Sequence, residues 1–394
     1  MYARGLEPEL RRQLRRGKSV LLLGPRQTGK TTLLRGLGAD LSLSLAAPSE
    51  RQRYERAPGL LSGEIRALVE RGKRRRRPLI AVDEVQRVPA LLDVGQELID
   101  EGVAQFVFTG SSARKLRRGR EVNLLPGRVV ALRLDPLLLE EAAPRAIEEA
   151  LLFGSLPAIR TLARAADKET DLGSYASTYL EEEVRQEALV RQVGAFSRFL
   201  ELAALESGRV TNYANVSRQV GVSALTVSSY YEILHDCLVA ERVEPVTRSS
   251  SRKKLTRASR YLIFDLGVRR LAAGEGGQPH PTRAGELFEQ FVGLELIRFF
   301  RLHAPSVRVR FWRDPDGPEV DFVLERGRSY LPIEAKLSAR PSQRDARHLR
   351  VFMDEYGAKQ AFVVCATPRP VRLAAGIRAV PWQDLPEVLR RLNL

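Results

Sequence analysis

Gly24-Pro25-Arg26-Gln27-Thr28-Gly29-Lys30-Thr31 is the stretch whose reading decides the fold. The apolar run Ser19-Val20-Leu21-Leu22-Leu23 precedes it, with the continuous hydrophobicity of a buried parallel strand. Thr32-Leu33-Leu34-Arg35-Gly36-Leu37 follows with helical spacing. Strand, glycine-flanked loop and helix, in that order, make a phosphate-binding loop. Glycines let the backbone curl so that successive N–H groups point inward, and the helix that follows adds its positive end. Lys30 then reaches the β and γ phosphates, and Thr31 offers its hydroxyl to Mg²⁺. Gly24, Pro25, Arg26, Gln27, Thr28, Gly29 and Thr32 complete the expected cradle for ATP.

Working outward, Leu79-Ile80-Ala81-Val82-Asp83-Glu84 is an apolar strand with two acids at its carboxyl end. Parallel α/β sheets place their ligands at that end. Asp83 is expected to hold Mg²⁺ through its water shell, and Glu84 to orient the water that attacks the γ phosphate. A neighbouring strand, Gln105 to Ser112, ends in polar residues. Thr109, Ser111 or Ser112 is placed to sense the γ phosphate or the lytic water. Leu41–Leu45 and Val129–Leu134 read as further strands. Helices are expected around Leu60–Val69 and over 90–100, with an amphipathic lead-in over 1–18 that carries Leu6, Leu10 and Leu14 on one face. Five strands with crossover helices complete a doubly wound sheet by about residue 136.

The chain has 394 residues, 44% of them hydrophobic, which is ample for two to four domains. Its net charge of +16 favours a polyanionic partner, nucleic acid before acidic membrane. Cys237 and Cys365 lie in unrelated contexts, which argues against a disulfide framework or a zinc site. Residues 1–18 lack the apolar core of a signal peptide, and no apolar run reaches membrane-spanning length. A cytoplasmic protein with no membrane partner is expected.

Residues 137–190 are rich in Leu, Ala and Glu, hence helical. Over 191–271 the pattern changes. A helix through Phe196–Leu205 stops at Ser207-Gly208, a shorter one spans Tyr213–Val220, and Gly221-Val222 turns into a third that opens at Ser223. That is a helix-turn-helix signature. Val239–Val246 and Ser259–Phe264 read as wing strands around a loop bearing Arg248, Arg252, Lys253, Lys254 and Arg257, a set suited to DNA phosphates. Further basic runs occur at 71–77 and 114–120. Residues 272–282 read as a Gly/Pro-rich linker. In 283–394, Asp321 lies on one strand, while Glu334 and Lys336 alternate onto one face of the next.

GPRQTGKTTLL, LIAVDEVQRVP, FVFTGSSARKL and LPGRVVALRLDPL together resemble prokaryotic AAA-type ATPases whose C-terminal half was long called a domain of unknown function. The resemblance implies an ATPase domain over 1–136 and a helical lid over 137–190. It implies Arg128 as an arginine finger acting on a neighbouring subunit's nucleotide, within a homo-oligomer such as a hexameric ring. Phe153-Gly154-Ser155-Leu156-Pro157 resembles the family's Gly-Gly-x-Pro element, which implies Pro157 near the adenine, with Ser155 in place of one glycine. The C-terminal segment resembles the PD-(D/E)xK nuclease core, a restriction-endonuclease-like α/β domain. That implies Asp321 and Glu334 as Mg²⁺ ligands, Lys336 as the residue that positions water or stabilises the pentacovalent phosphate, and Glu289 or Glu286 assisting from a helix.

The expected function is ATP hydrolysis coupled to binding or remodelling of DNA, in structured or branched form such as a junction. Two alternatives remain open: a nucleotide-dependent switch that binds protein partners, and an ATP-gated, metal-dependent nuclease.

Overall fold

The computed structural model describes residues 2–71, 76–111, 127–176, 193–247, 258–277, 281–314 and 317–392. Two compact units divide the chain, Met1–Pro136 with Asp236–Leu238, and Leu137–His235 with Val239–Leu394.

In the first unit α1 (Glu7–Arg15) leads into β1 (Ser19–Leu23). Pro8 in the first turn, Glu7 and Glu9 at the N-terminus and Arg12 and Arg15 at the C-terminus all favour α1, since the charges oppose the helix dipole. Leu6 and Leu10 bury its inner face. There follow α2 (Lys30–Arg35), β2 (Leu41–Ser44), α3 (Pro48–Arg56), α4 (Leu60–Arg71), β3 (Leu79–Asp83), α5 (Ala90–Asp100), β4 (Gln105–Gly110) and β5 (Val129–Arg133). The strands form one parallel sheet in the order β2-β3-β4-β1-β5. Central position explains the composition of β1, since hydrogen bonds to neighbours on both edges leave only side chains to bury. Leu21, Leu43, Ile80, Val82, Phe106 and Phe108 form the core with Leu61 and Ile65 of α4 and Leu91 of α5.

The second unit begins with α6 (Ile147–Phe153), α7 (Pro157–Thr161) and α8 (Ala165–Ser174). Three helices follow, α9 (Val193–Leu205), α10 (Tyr213–Val220) and α11 (Ala224–Asp236), then strands β6 (Ala240–Pro245) and β7 (Arg260–Ile263) and helix α12 (Leu266–Ala272). Asn212 caps α10 by accepting from the N–H of Asn215, and Gly221 ends that helix at φ +79°. Phe196, Phe199, Tyr230, Tyr231 and Tyr261 pack ring against ring beneath these helices.

Helix α13 (Pro281–His303) starts inside the segment that reads as a linker, so residues 281 and 282 are helical. The Gly-rich run before it masks a helix start that Pro281 at N1 does signal. Next come β8 (Arg308–Arg313), β9 (Glu319–Arg326), β10 (Ser329–Lys336), α14 (Arg347–Tyr356), β11 (Ala361–Cys365), β12 (Val371–Ala374), β13 (Ile377–Pro381) and α15 (Leu385–Arg390). Among the described residues the eight strands of this unit form one mixed sheet, β12-β13-β11-β10-β9-β8-β6-β7. The β6–β7 hairpin joins it through a short parallel pairing, Glu244 with Arg310 and Pro245 with Phe311. Among the described residues no helix is long and apolar enough to cross a membrane.

Candidate functional site

The loop after β1 is shaped by what surrounds it. A side chain on Gly24 would put its first carbon 2.3 Å from the backbone oxygen of Leu134, so only glycine fits where the loop leaves the sheet. Gln27 at φ +60° and Gly29 at φ +96° turn the backbone inward just before α2. Thr28 is fully buried and donates its hydroxyl to the carbonyl of Pro25 at 2.9 Å. The Lys30 ammonium, also buried, donates to the carbonyls of Gly24 and Pro25 at 2.8 Å each. Burial pushes its pKa down to about 8, against the pull of the Glu84 and Asp83 carboxylates. Lys30 is therefore a poorly hydrated cation held at the mouth of an inward-turned backbone. Thr32 is exposed on α2.

Asp83 ends β3, and both its oxygens are engaged. Thr31 donates to one at 2.8 Å and Thr109, from β4, donates to the other. The loop hydroxyl and the strand carboxylate expected at Mg²⁺ thus stand in direct contact. Hard oxygen donors on a rigid sheet suit Mg²⁺, which keeps water in its remaining positions. Glu84 follows at φ +60°, an uncommon conformation for a residue with a side chain, and its N–H donates to the Thr109 hydroxyl at 3.1 Å. That kink turns Glu84 out of the strand direction.

Two residues absent from the motif reading support these groups. Gln86 is buried and donates through its amide to Glu84 at 2.5 Å and to Ser111 at 2.9 Å. A carboxylate only accepts, so the amide nitrogen must face Glu84, and Gln86 Oε1 is left buried without a partner. Arg4, ahead of α1, donates to the carbonyls of Thr28 and, at 2.7 Å, Asp135, pinning the phosphate loop to the end of β5. The only sequence signal for Gln86 is its place two residues past the acidic pair; Arg4 has none.

Of the expected sensor residues, Thr109 reaches Asp83 and Ser111 reaches Glu84 through Gln86, while Ser112 lies outside the described residues. Arg128 makes an ion pair with Asp100 of its own chain at the surface. Pro157 opens α7 in the second unit, after Gly154, whose φ of +67° and contact with the buried Asp265 leave no room for a side chain. Arg248, Arg252, Lys253, Lys254 and Arg257 lie outside the described residues, as do 72–75 and 114–120.

A second constellation lies in the second unit. Gly293 of α13 sits so close to β9 that an added carbon would meet the Phe322 ring at 2.4 Å. Glu289, one turn earlier on α13, lies beside Asp321, Glu334 and Lys336. Asp321 is buried and accepts the N–H of Ala335 at 2.9 Å. Glu334 and Lys336 share a face of β10, with Nζ 2.8 Å from Oε1. The other oxygen of Glu334 is buried with no partner. Burial, and then mutual repulsion with Asp321, raises the pKa of Glu289 and of Glu334; burial raises Asp321. Burial pulls Lys336 down, but the three carboxylates outweigh it and raise it.

Glu286 points elsewhere, pairing with Arg209 at 3.0 Å. The cation that sequence reasoning missed is Arg260 of β7, buried, 2.7 Å from Glu289 and stacked over Phe311. Among the described residues no group of three or more His, Cys, Asp or Glu side chains is arranged to hold a metal. The unpartnered Glu334 oxygen beside Asp321 nevertheless fits a hard divalent ion completed by water.

Comparison with known proteins bears on the domain that carries the first of these sites. Residues 16–143 match the family described as AAA domain. Residues 144–278 and 284–385 match two families, each described as a Domain of unknown function (DUF8612 and DUF4143). The uncharacterized proteins Rv2008c of Mycobacterium tuberculosis and Mb2031c of Mycobacterium bovis are each 29% identical over 339 residues, 84% of this chain and 73% of theirs. Among solved structures, Cdc6p from Pyrobaculum aerophilum is similar with a TM-score of 0.28 at 14% identity, covering 68% of this chain and 90% of that one. The Bacillus subtilis DNA clamp loader delta protein scores 0.28 at 12% identity, covering 58% and 87%. Likeness that slight carries no argument about activity or partners. The AAA match, however, spans the loop, the parallel sheet and both carboxylates of the first site, so that residues 16–143 are similar to an AAA domain throughout that site.

Proposed function

We propose that this protein hydrolyses ATP in its first unit and couples the hydrolysis to DNA. The contact of Thr31 with Asp83, below a buried Lys30 and beside Glu84, carries the first half of that reading. Lys30 binds the β and γ phosphates together with the inward-facing N–H groups of the loop. Glu84 accepts a hydrogen bond from the attacking water, and Gln86 holds Glu84 in place for it. Thr31 and Asp83 would hold Mg²⁺, which would supply positive charge to the phosphates. The net charge of +16 supports a polyanion as the partner. The test is ATP turnover with no DNA, single-stranded DNA, duplex and four-way junction. Stimulation by at least one of the DNAs is expected; indifference to all of them would favour a switch that senses protein partners.

The second unit supports a further reading, metal-dependent DNA cleavage, on one observation: Glu334 keeps a buried oxygen free beside Asp321 while its other oxygen holds Lys336. Asp321 and Glu334 would hold the ion, and Lys336 would place a proton-bearing group at the scissile phosphate. Asp321→Asn and Lys336→Ala should each lower Mg²⁺- or Mn²⁺-dependent cleavage by about 100-fold or more. ATP turnover should stay within about twofold, because the residues belong to the other unit. If the unsubstituted protein leaves linear, circular and junction DNA intact with either metal, the site binds without cutting.

A further inference from the structure

The surface beside Asp321 and Glu334 carries an arginine row that no motif announces. Arg340 follows Lys336 by four residues, and Arg344, Arg347 and Arg350 continue the row through a short 3₁₀ turn (Gln343–Ala346) and the first turn of α14. The opposite side of the same segment is the buried one, where Ala346, Leu349 and Phe352 enter the core with Trp312 and Val320. All four arginines are exposed. None of the four guanidinium groups has an ion-pair or hydrogen-bond partner among the described residues; the Arg340 backbone N–H donates to the Ser338 hydroxyl. Elsewhere in this unit arginines are commonly matched, as Arg260 is with Glu289, Arg301 with Glu241 and Arg310 with Glu244.

The acid within the row is spoken for. Asp345 accepts from both the N–H and the hydroxyl of Ser342, a capping box that starts the turn. The row is also anchored to the carboxylate site. His348, between Arg347 and Arg350, donates through Nδ1 to the carbonyl of Glu319 at 3.1 Å, two residues before Asp321. From Arg344 to Arg350 the backbone advances about 10 Å, at about 2.0 Å per residue in the 3₁₀ turn and about 1.5 Å in the helix. Duplex DNA presents about one phosphate per 1.7 Å of axis, so every arginine of such a row finds one within reach.

We propose that Arg340, Arg344, Arg347 and Arg350 form a track for the phosphodiester backbone of duplex DNA, holding it alongside Asp321, Glu334 and Lys336. The inference rests on the DNA reading above and adds the surface that carries it. Contacts of this kind release counterions, so they act on every sequence alike and are steeply salt-dependent.

The experiment measures binding of two 30-bp duplexes of unrelated sequence by fluorescence anisotropy across a range of KCl concentrations. The full chain is compared with a quadruple variant, Arg340→Gln, Arg344→Gln, Arg347→Gln and Arg350→Gln. A second quadruple variant, Arg308→Gln, Arg328→Gln, Arg369→Gln and Arg372→Gln, removes the same charge from other exposed positions of the unit. The track variant should bind both duplexes equally weakly. Its slope of log affinity against log salt should be shallower than that of the unsubstituted protein by about 3.6 units, at about 0.9 per phosphate contact. The control should lose much less slope. Equal slopes in the track variant and the unsubstituted protein, or equal losses in both variants, would overturn the track while leaving DNA binding standing. Failure of the unsubstituted protein to bind either duplex would instead remove the DNA reading, and the track with it.

Discussion

Lys30→Ala is expected to weaken ATP binding by about 100-fold or more, close to 3 kcal/mol, while leaving the first unit folded. A charged hydrogen-bonding partner at a desolvated site is worth about that much. What it loses besides is small: the carbonyls of Gly24 and Pro25 give up one donor at the rim of the loop. Removing a buried ammonium also removes a desolvation penalty, so the melting temperature should change little. The same residue predicts a pH dependence. In the free protein burial holds its pKa down near 8, and a bound triphosphate would raise it. Above pH 8 binding must therefore take up a proton, so affinity should fall as pH rises from 7 to 9.5. Lys30→Ala should lack that component. Equilibrium titration with a fluorescent ATP analogue, beside thermal unfolding of both proteins, reads all three quantities. Unchanged affinity in a folded variant would mean that the loop is not the nucleotide site.

The second large effect belongs to Glu84. Glu84→Gln should bind ATP normally and hydrolyse it about 100- to 1,000-fold more slowly, the range that a lost general base or water-orienting carboxylate commonly spans. The replacement keeps the side chain's shape and its acceptor toward Gln86, so geometry is preserved and only the charge goes. Gln86→Ala should do less, about tenfold, because it leaves the carboxylate in place but unsteadied. That ordering separates the group that handles the water from the group that holds it. Should Glu84→Gln turn over at the ordinary rate, the lytic water is oriented by another residue.

The first unit was the more legible in sequence because its signals are local. A strand, an eight-residue loop and a helix lie within twenty residues, and the acids of β3 announce themselves at a strand end. Supports from far along the chain were not legible. Arg4 reaches Thr28 and Asp135 only once the sheet has formed, and Gln86 matters because Glu84 takes a left-handed turn that no neighbouring residue demands. That Glu334 and Lys336 share a face of β10 followed from period-two geometry, and the resemblance to a nuclease core added Asp321, but the choice between Glu286 and Glu289 stayed open. Three residues apart, they lie on nearby faces of one helix, and the tertiary partners separate them: Glu286 pairs with Arg209, Glu289 with Arg260 beside Asp321. Arg260 was hidden for a related reason. Its strand reads as half of a wing, and the pairing that carries it to the carboxylates is two residue pairs long.

That short pairing bears on how this chain can be taken apart. The Gly/Pro-rich segment around 272–280 invites a cut, as though the pieces on either side were beads on a string. A fragment starting at Pro281 would leave β8 as a bare sheet margin, an open template for sticking to other chains. It would also strand Glu289 without the guanidinium that neutralises it from across the cut. Shuffling this C-terminal half into another protein therefore means carrying the hairpin along as luggage. The natural seam of the molecule lies near residue 136, well ahead of the place where glycine and proline advertise one.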